Sequence, residues 1–421
     1  MKQPLHTSGT TAAAPLWSHR DIRLVLPARA VSYAGDSIAL VALMLRVSDG
    51  TGSTAAITAL LLAFAVPTVV MIPFAGRIVD AYDSRRVLVL ASLLQAAAGI
   101  GLALSHGLAA TLALVCLLQV GQAVAGPAWA ALIPRIVGDE LVGRATGASQ
   151  ALIGAATLVG SAAGGVLVGL TGDRVALLVD ASTFLGLAVI AQLVRTRRTP
   201  LPGAPKERGA MTAGLRSLFA DKLLQVLVPA LWVFILVGEA VNVVEVLLIR
   251  NEIGLGPTGY GLVLAAQGAG AIAGAWFTGR LKSDLTRTRA VLAGTAAIGA
   301  SCVLMGLAGG VVPLVIGAVT VGFGGGMLNA ATSTLVVTRS LDALRGRVVA
   351  ALTGTARACS LVALLLGGVT GSLLGPRATF VVAGVLAVGC AVVTGVLVAR
   401  RDVVRAKDSL PVAVGHQAIG D

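Results

Sequence analysis

The sequence predicts an all-α membrane protein with twelve transmembrane helices in two pseudo-symmetric six-helix bundles. Three observations predict it. Hydrophobic residues make up 56% of the 421-residue chain and charged residues 12%, against the ~25% charged residues of soluble domains. The apolar residues gather in runs close to the ~20 needed to span a bilayer. The chain also matches itself without gaps when displaced by 203 residues. So few charges cannot cover a water-facing surface of this size. A soluble enzyme, a soluble DNA-binding protein and a disordered chain are therefore excluded. The 53 glycines follow no G-X-Y period, which excludes collagen, and membrane helices use small residues where backbones approach closely.

In chain order the predicted spans are 24–45, 57–76, 87–105, 109–133, 147–170 and 175–194, then 224–248, 258–278, 290–308, 311–336, 348–373 and 379–399. Residues 1–20 are polar or small and the first apolar run is too long for a signal h-region, so it reads as an uncleaved first span. The longest connector, 195–223, carries Pro200, Pro202 and Pro205 among basic residues, the composition of a flexible linker. The expected organisation is an N-terminal bundle over 1–194, a linker over 195–223, a C-terminal bundle over 224–399 and a tail over 400–421. Cys116, Cys302, Cys359 and Cys390 lie in separate apolar runs and read as small buried hydrophobes, with no metal or redox spacing.

The net charge of +13 is explained by where the bases fall. All but six of the 32 Lys and Arg lie in the N-terminal tail, the connectors after even-numbered spans and the C-terminal tail; the six are Arg29, Arg46, Arg174, Arg250, Arg357 and Arg377. By the positive-inside rule both termini face the cytoplasm of a cell-membrane protein. The bases then signal topology and contact with membrane lipids, with no nucleic-acid partner.

The 203-residue displacement sets Gly35 on Gly238, Gly76-Arg77 on Gly279-Arg280, Arg86 on Arg289 and Gly143-Arg144 on Gly346-Arg347. It also sets Gly164-Gly165 on Gly367-Gly368, Gly172-x-Arg174 on Gly375-x-Arg377 and Arg197-Arg198 on Arg400-Arg401. Glycine is common here, so the six arginine matches carry the weight. Both copies start on the same side, which predicts parallel repeats about an axis along the membrane normal.

The connector after span two reads Gly76-Arg77-Ile78-Val79-Asp80-Ala81-Tyr82-Asp83-Ser84-Arg85-Arg86. It resembles the signature G-x-x-x-D-x-x-x-R-R/K of the major facilitator superfamily. Asp139-Glu140-Leu141-Val142-Gly143-Arg144 is similar to the loop after span four in that superfamily, and Arg29 to Asp36 is similar to span one of the branch containing macrolide-efflux and enterobactin-exporter proteins. The resemblance implies drug:proton antiport. Two stretches depart from it. Span five has Ser161 where the antiporter signature places proline and Ala156 where it places glycine. The second-half loop has its acid at Asp284, displaced by one position. In the better-preserved first-half loop, Gly76 permits close backbone approach at a helix end. Asp80 stands among Arg77, Arg85, Arg86 and Arg144, and such a carboxylate can pair with arginine and release it, as a cytoplasmic gate would.

A charge at mid-bilayer costs roughly 2.5–3.5 kcal/mol on insertion scales, so it marks a cavity or a partner. Asp36 lies near the middle of span one, and the displacement puts Glu239 at the equivalent position of span seven. With Arg29, two turns before Asp36, and Arg357 in span eleven, these acids are the candidates for proton coupling and for the substrate cavity. The alternative is a set of static ion pairs between helices. Glu245 and Asn242 are placed at the outer mouth of that cavity, and Asp180, near the outer end of span six, is given a structural hydrogen-bonding role. All four histidines lie in tails or at a loop edge, so proton coupling falls to carboxylates. Gln95, Gln119, Gln122, Gln150 and Gln267 read as interhelical hydrogen-bonding groups.

Gly268-x-Gly270-x-x-x-Gly274 has one residue too many for a dinucleotide fingerprint and no preceding strand, and no phosphate-loop motif occurs in the sequence. No metal site, cofactor or catalytic residue is expected. The expected activity is proton-coupled efflux of a hydrophobic or amphipathic small molecule by alternating access, carried out by a monomer. The alternatives are an importer of a small nutrient and a non-transporting sensor or scaffold on the same fold.

Overall fold

The computed structural model describes residues 15–196, 223–339 and 345–408, with Arg216, Phe219 and Asp221 in the connector. Most of the predicted linker and the end of the predicted tail lie outside the described residues. Among the described residues there are helices and no strands. The N-terminal half contains α1 (Arg20–Thr51), α2 (Thr54–Ala81), α3 (Ser84–Leu104), α4 (Leu108–Val137), α5 (Val142–Thr171) and α6 (Asp173–Leu193). The C-terminal half contains α7 (Leu224–Leu247, continued by a π-helical turn at Leu248–Glu252), α8 (Pro257–Gly279), α9 (Asp284–Gly306) and α10 (Val311–Arg339). A last helical stretch, Arg345–Asp408, breaks at Gly375 (φ 79°) into α11 (345–374) and α12 (376–408). Each predicted span falls on one helix.

The caps follow from sequence. Ser53 accepts the Ala56 N–H, Asp83 those of Arg85 and Arg86, and Ser283 that of Thr286, each satisfying a donor that a helix start leaves unpaired. The matched pair Gly172 and Gly375 both take positive φ, 83° and 79°. This left-handed turn between α5 and α6, and between α11 and α12, is readily adopted by glycine alone.

The packing repeats with the sequence. In the first half α1 packs on α5 and α6, α3 on α6 and α4, and α2 on α4; in the second α7 packs on α11, α9 on α10 and α12, and α8 on α10. The two halves touch through α5 against α8 and α11 against α2. Both seams lie toward one end of the bundle, the end holding the short, base-poor connectors. A Cβ at Gly165 would stand 2.7 Å from Gly261 Cα, and one at Gly169 would stand 2.8 Å from Thr258 Oγ1. Gly368, the match of Gly165, and its neighbour Gly371 sit against Thr58 and Thr54 in the same way. At that end Arg250 donates to both Asp49 carboxylate oxygens at 2.8 Å and to Leu255 O at 2.8 Å, bridging α1 to the π-helical turn after α7.

Each half is also clamped to itself. At the base-poor end Arg46 binds the Asp173 carboxylate and Leu102 O, and Arg377 binds Glu252, Gly306 O and Ala308 O. At the opposite, basic end Asp21 accepts from Thr196, Arg85 from α3 donates to Val194 O, and Arg339 spans Asp221 and Asp284 at 2.9 and 3.0 Å. The displaced acid of the second-half loop, Asp284, therefore has arginine partners, Arg339 and Arg287.

The halves differ in one respect. In the second, Gly270 and Gly274 of α8 interlock with Gly322 and Gly326 of α10 so closely that a Cβ at any of the four would overlap a backbone carbonyl of the partner helix. The residues 203 positions earlier are Pro67, Met71, Gln119 and Ala123. There α2 and α4 pack through side chains without that interlock, and an apolar groove of about 520 Å³ lies between α3 and α4, bordered by Tyr82, Arg86 and Leu90 on one side and Val120 and Val124 on the other.

Candidate functional site

A cavity of about 380 Å³ lies between the halves. From the first half it is lined by Leu61, Phe64, Ala65, Thr68 and Val69 of α2 and Gln119 of α4. From the second half it is lined by Glu239 of α7 and by Arg357, Ser360 and Leu364 of α11. All sit near the middle of their helices. Glu239 accepts from Ser360 Oγ at 3.2 Å on one carboxylate oxygen and from Asn242 Nδ2 at 3.1 Å on the other. Arg357 reaches across to Thr68 Oγ1 at 3.4 Å. An acid and a base on the second-half wall, facing the mainly apolar residues of α2 and each held by hydroxyl or amide groups, let the cavity offer charge of either sign without burying a bare ion.

A second cavity of about 230 Å³ adjoins it, sharing Phe64 and Gln119, and is lined by Asp36, Tyr33 and Ser37 of α1, Gln122 of α4 and Asp180 of α6. Gln122 accepts from Gln95 Nε2 at 3.0 Å. Arg29 borders a narrow gap of about 20 Å³ with Asp36 and Tyr33, its guanidinium 5.8 Å from the Tyr33 ring centre. Among the described residues no hydrogen bond or ion pair joins Arg29 to Asp36.

Residues 25–248 and 227–418 each match the sequence model of the Major Facilitator Superfamily. The chain belongs to the Major Facilitator Superfamily. Its relatives in that superfamily include the multidrug efflux pump Tap of Mycobacterium tuberculosis and of Mycobacterium bovis, each 27% identical over 94% of this chain and 97% of theirs. Solved superfamily-fold structures that resemble it include the POT family transporter PepTSo (TM-score 0.71, 13% identity, 91% of this chain and 99% of that one). The nucleoside transporter NupG (0.71, 12%, 90% and 99%) and a bacterial homologue of the human lysosomal transporter Spinster (0.69, 14%, 92% and 98%) resemble it equally. At these identities they show the fold. The chain is thus a multi-pass membrane transporter of the superfamily.

Within that fold the predicted site residues separate. Glu239 and Arg357 share the central cavity, and Asp36 and Arg29 lie beside the adjoining one. Asn242 touches Glu239. Glu245 is a correction: it does not line the mouth but is 5% exposed, close to Tyr260 and Cys302 inside the second half. Six residues beyond Glu239, a helix has turned by about 240°, which carries Glu245 off the cavity face. Asp180 is a second correction, since it faces the Asp36 cavity rather than a structural contact at the outer end. Gly76 and Asp80 in the last turns of α2, Arg86 in the first turn of α3 and Arg144 in the first turn of α5 are exposed. Arg85 is turned to the end of α6. Sequence reasoning missed Thr68 and Ser360, which carry no charge to mark them within an apolar run.

Proposed function

We propose that the chain exports hydrophobic or amphipathic small molecules by proton-coupled alternating access. The observation that carries this is the cavity between the halves, with Glu239 and Arg357 at mid-depth and the contacts between halves gathered at the base-poor end. If the basic end is cytoplasmic by the positive-inside rule, the cavity stands in its cytoplasm-accessible, substrate-loading form with the outer end closed. The kinship with the multidrug efflux pump Tap supports export of drug-like compounds. The domains act as two units, 1–194 and 224–399, that rock about the cavity, with Gly76, Asp80, Arg85, Arg86 and Arg144 at the helix ends as the cytoplasmic gate. Lipid-soluble substrates suit the apolar α2 wall, and Glu239 and Arg357 orient their polar groups.

A pump-deficient bacterial host expressing the chain is expected to accumulate less of a panel of dyes and antibiotics than a host carrying Glu239→Gln, with equal protein in the membrane. A protonophore should erase the difference. Equal accumulation in both hosts across the panel rejects export through this cavity. Uptake that rises with expression identifies an importer.

A further inference from the structure

We propose that Asp36 and Asp180 together form the proton-binding site of the carrier, a carboxyl pair in the first half that holds one proton between them and is separate from the cavity of Glu239 and Arg357. The inference deepens the proton-coupled reading above and rests on it for its role in transport.

Asp180 is 1% exposed, and its Oδ1 lacks a hydrogen-bond partner among the described residues. A buried carboxyl oxygen without a partner is costly, so its position has to be accounted for. It lies against Gly35, the neighbour of Asp36: a Cβ there would stand 2.8 Å from Asp180 Oδ1 and 2.8 Å from Thr183 Oγ1. Glycine at 35 is what lets α6 bring its acid to the α1 acid, and both border one cavity. Asp36 itself has no hydrogen-bond or ion-pair partner among the described residues.

The other groups facing the pair are few. On α1 there are Arg29 and Tyr33; α2 presents Phe64, α3 Gln95, and α4 Gln119 and Gln122. Two carboxylates on the wall of one small cavity, with no cation bonded to either among the described residues, cannot both be ionised away from bulk water. One proton turns the repulsion into an O–H···O⁻ hydrogen bond, formed when a carboxylate oxygen takes a proton from the water of one face and broken when it yields it to the water of the other. Arg29 is the cation nearby that can turn from the Tyr33 ring to balance the pair when the proton leaves. Because Gln119 and Phe64 border both cavities, occupancy of one is felt in the other, the requirement for coupling proton to substrate.

The test is infrared difference spectroscopy of the purified, reconstituted protein between high and low pH, following the C=O band of protonated carboxyl groups, beside dye export with and without a protonophore. The expected result is a pH-dependent carboxyl band in the wild type that is lost or displaced in Asp36→Asn and in Asp180→Asn, and unmoved in Glu239→Gln. Gly35→Ala keeps both acids but drives their helices apart, and should displace the band as well. A wild-type band in monodisperse Asp180→Asn overturns the pair, even if the protonophore stops export. The expected band changes together with export indifferent to a protonophore leave the pair standing and overturn the proton-driven reading instead.

Discussion

Glu239 keeps its carboxylate opposite the mainly apolar α2 wall because Ser360 and Asn242 each cover one of its oxygens. Hydrogen bonds to a charged group are worth about 1.5–3 kcal/mol, so removing one changes the cavity without removing the acid. Ser360→Ala is expected to weaken transport about tenfold, the effect of about 1.4 kcal/mol, with protein in the membrane at its wild-type level. Asn242 is exposed, so water replaces its amide and Asn242→Ala should change transport less. Dose–response curves for export of one dye by the three proteins check the order. The charged members of this site were legible in the sequence, because an acid or base inside an apolar run is conspicuous. Its partners were not: Ser360 and Thr68 look like any small polar residue of a membrane helix until α7, α11 and α2 are brought together. Asp180 was conspicuous for its charge and misplaced for the same reason. Position along α6 says how deep a residue lies but not which neighbour it meets, and the neighbour is set by a glycine on another helix.

At the scale of the element, the start of α7 shows how a helix is held outside the apolar layer. Asp221 accepts the N–H groups of Leu223 and Leu224 at 2.8 and 3.1 Å and pairs with Arg339. Burial raises its carboxyl pKa, but the two N–H groups and Arg339 outweigh burial and hold it below the ordinary 3.8. A carboxyl so depressed adds stability that is present above 3.8 and lost as pH falls through its folded value. Thermal unfolding in detergent should show Asp221→Ala about 1 kcal/mol less stable at pH 7, the typical worth of such a cap. The deficit should shrink on acidification below pH 3.8 as the wild type loses its own contribution. The interlocked glycines of α8 and α10 make a harsher prediction. Gly322→Leu places side-chain atoms where the Gln267 carbonyl already is, and overpacking of this kind costs about 1–3 kcal/mol or more. The same change at Gln119, its counterpart in the first half, meets an open cavity wall and should leave the melting temperature within a few degrees. All twelve helices could be read from hydropathy and the 203-residue repeat. The difference in closeness between the two copies could be read only after pairing the copies position by position, since glycine alone does not say which backbone it admits.

At the scale of the whole molecule, the halves meet at glycine seams and, among the described residues, through one bridge of charge, Asp49 with Arg250. Solvent reaching the partly exposed Asp49 holds such a pair to about 1 kcal/mol or less, so the bridge biases a conformation without locking it. Asp49→Asn should shift the population toward the form open at the base-poor end. It should speed modification of a cysteine introduced at Thr54 by a membrane-impermeant maleimide added from that side. Joining the two ends covalently, with cysteines at 49 and 250 and an oxidant, should stop export, and reduction should restore it.

The seams themselves have a consequence of another kind. Where Gly165 rests on Gly261 there are no rotamers to choose, so two surfaces that separate there have a single way to come back together. A hinge closing on side chains must find its fit again at each stroke; one closing on bare main chain returns to the same register every time. Fidelity over many strokes is thus kept by atoms that are missing.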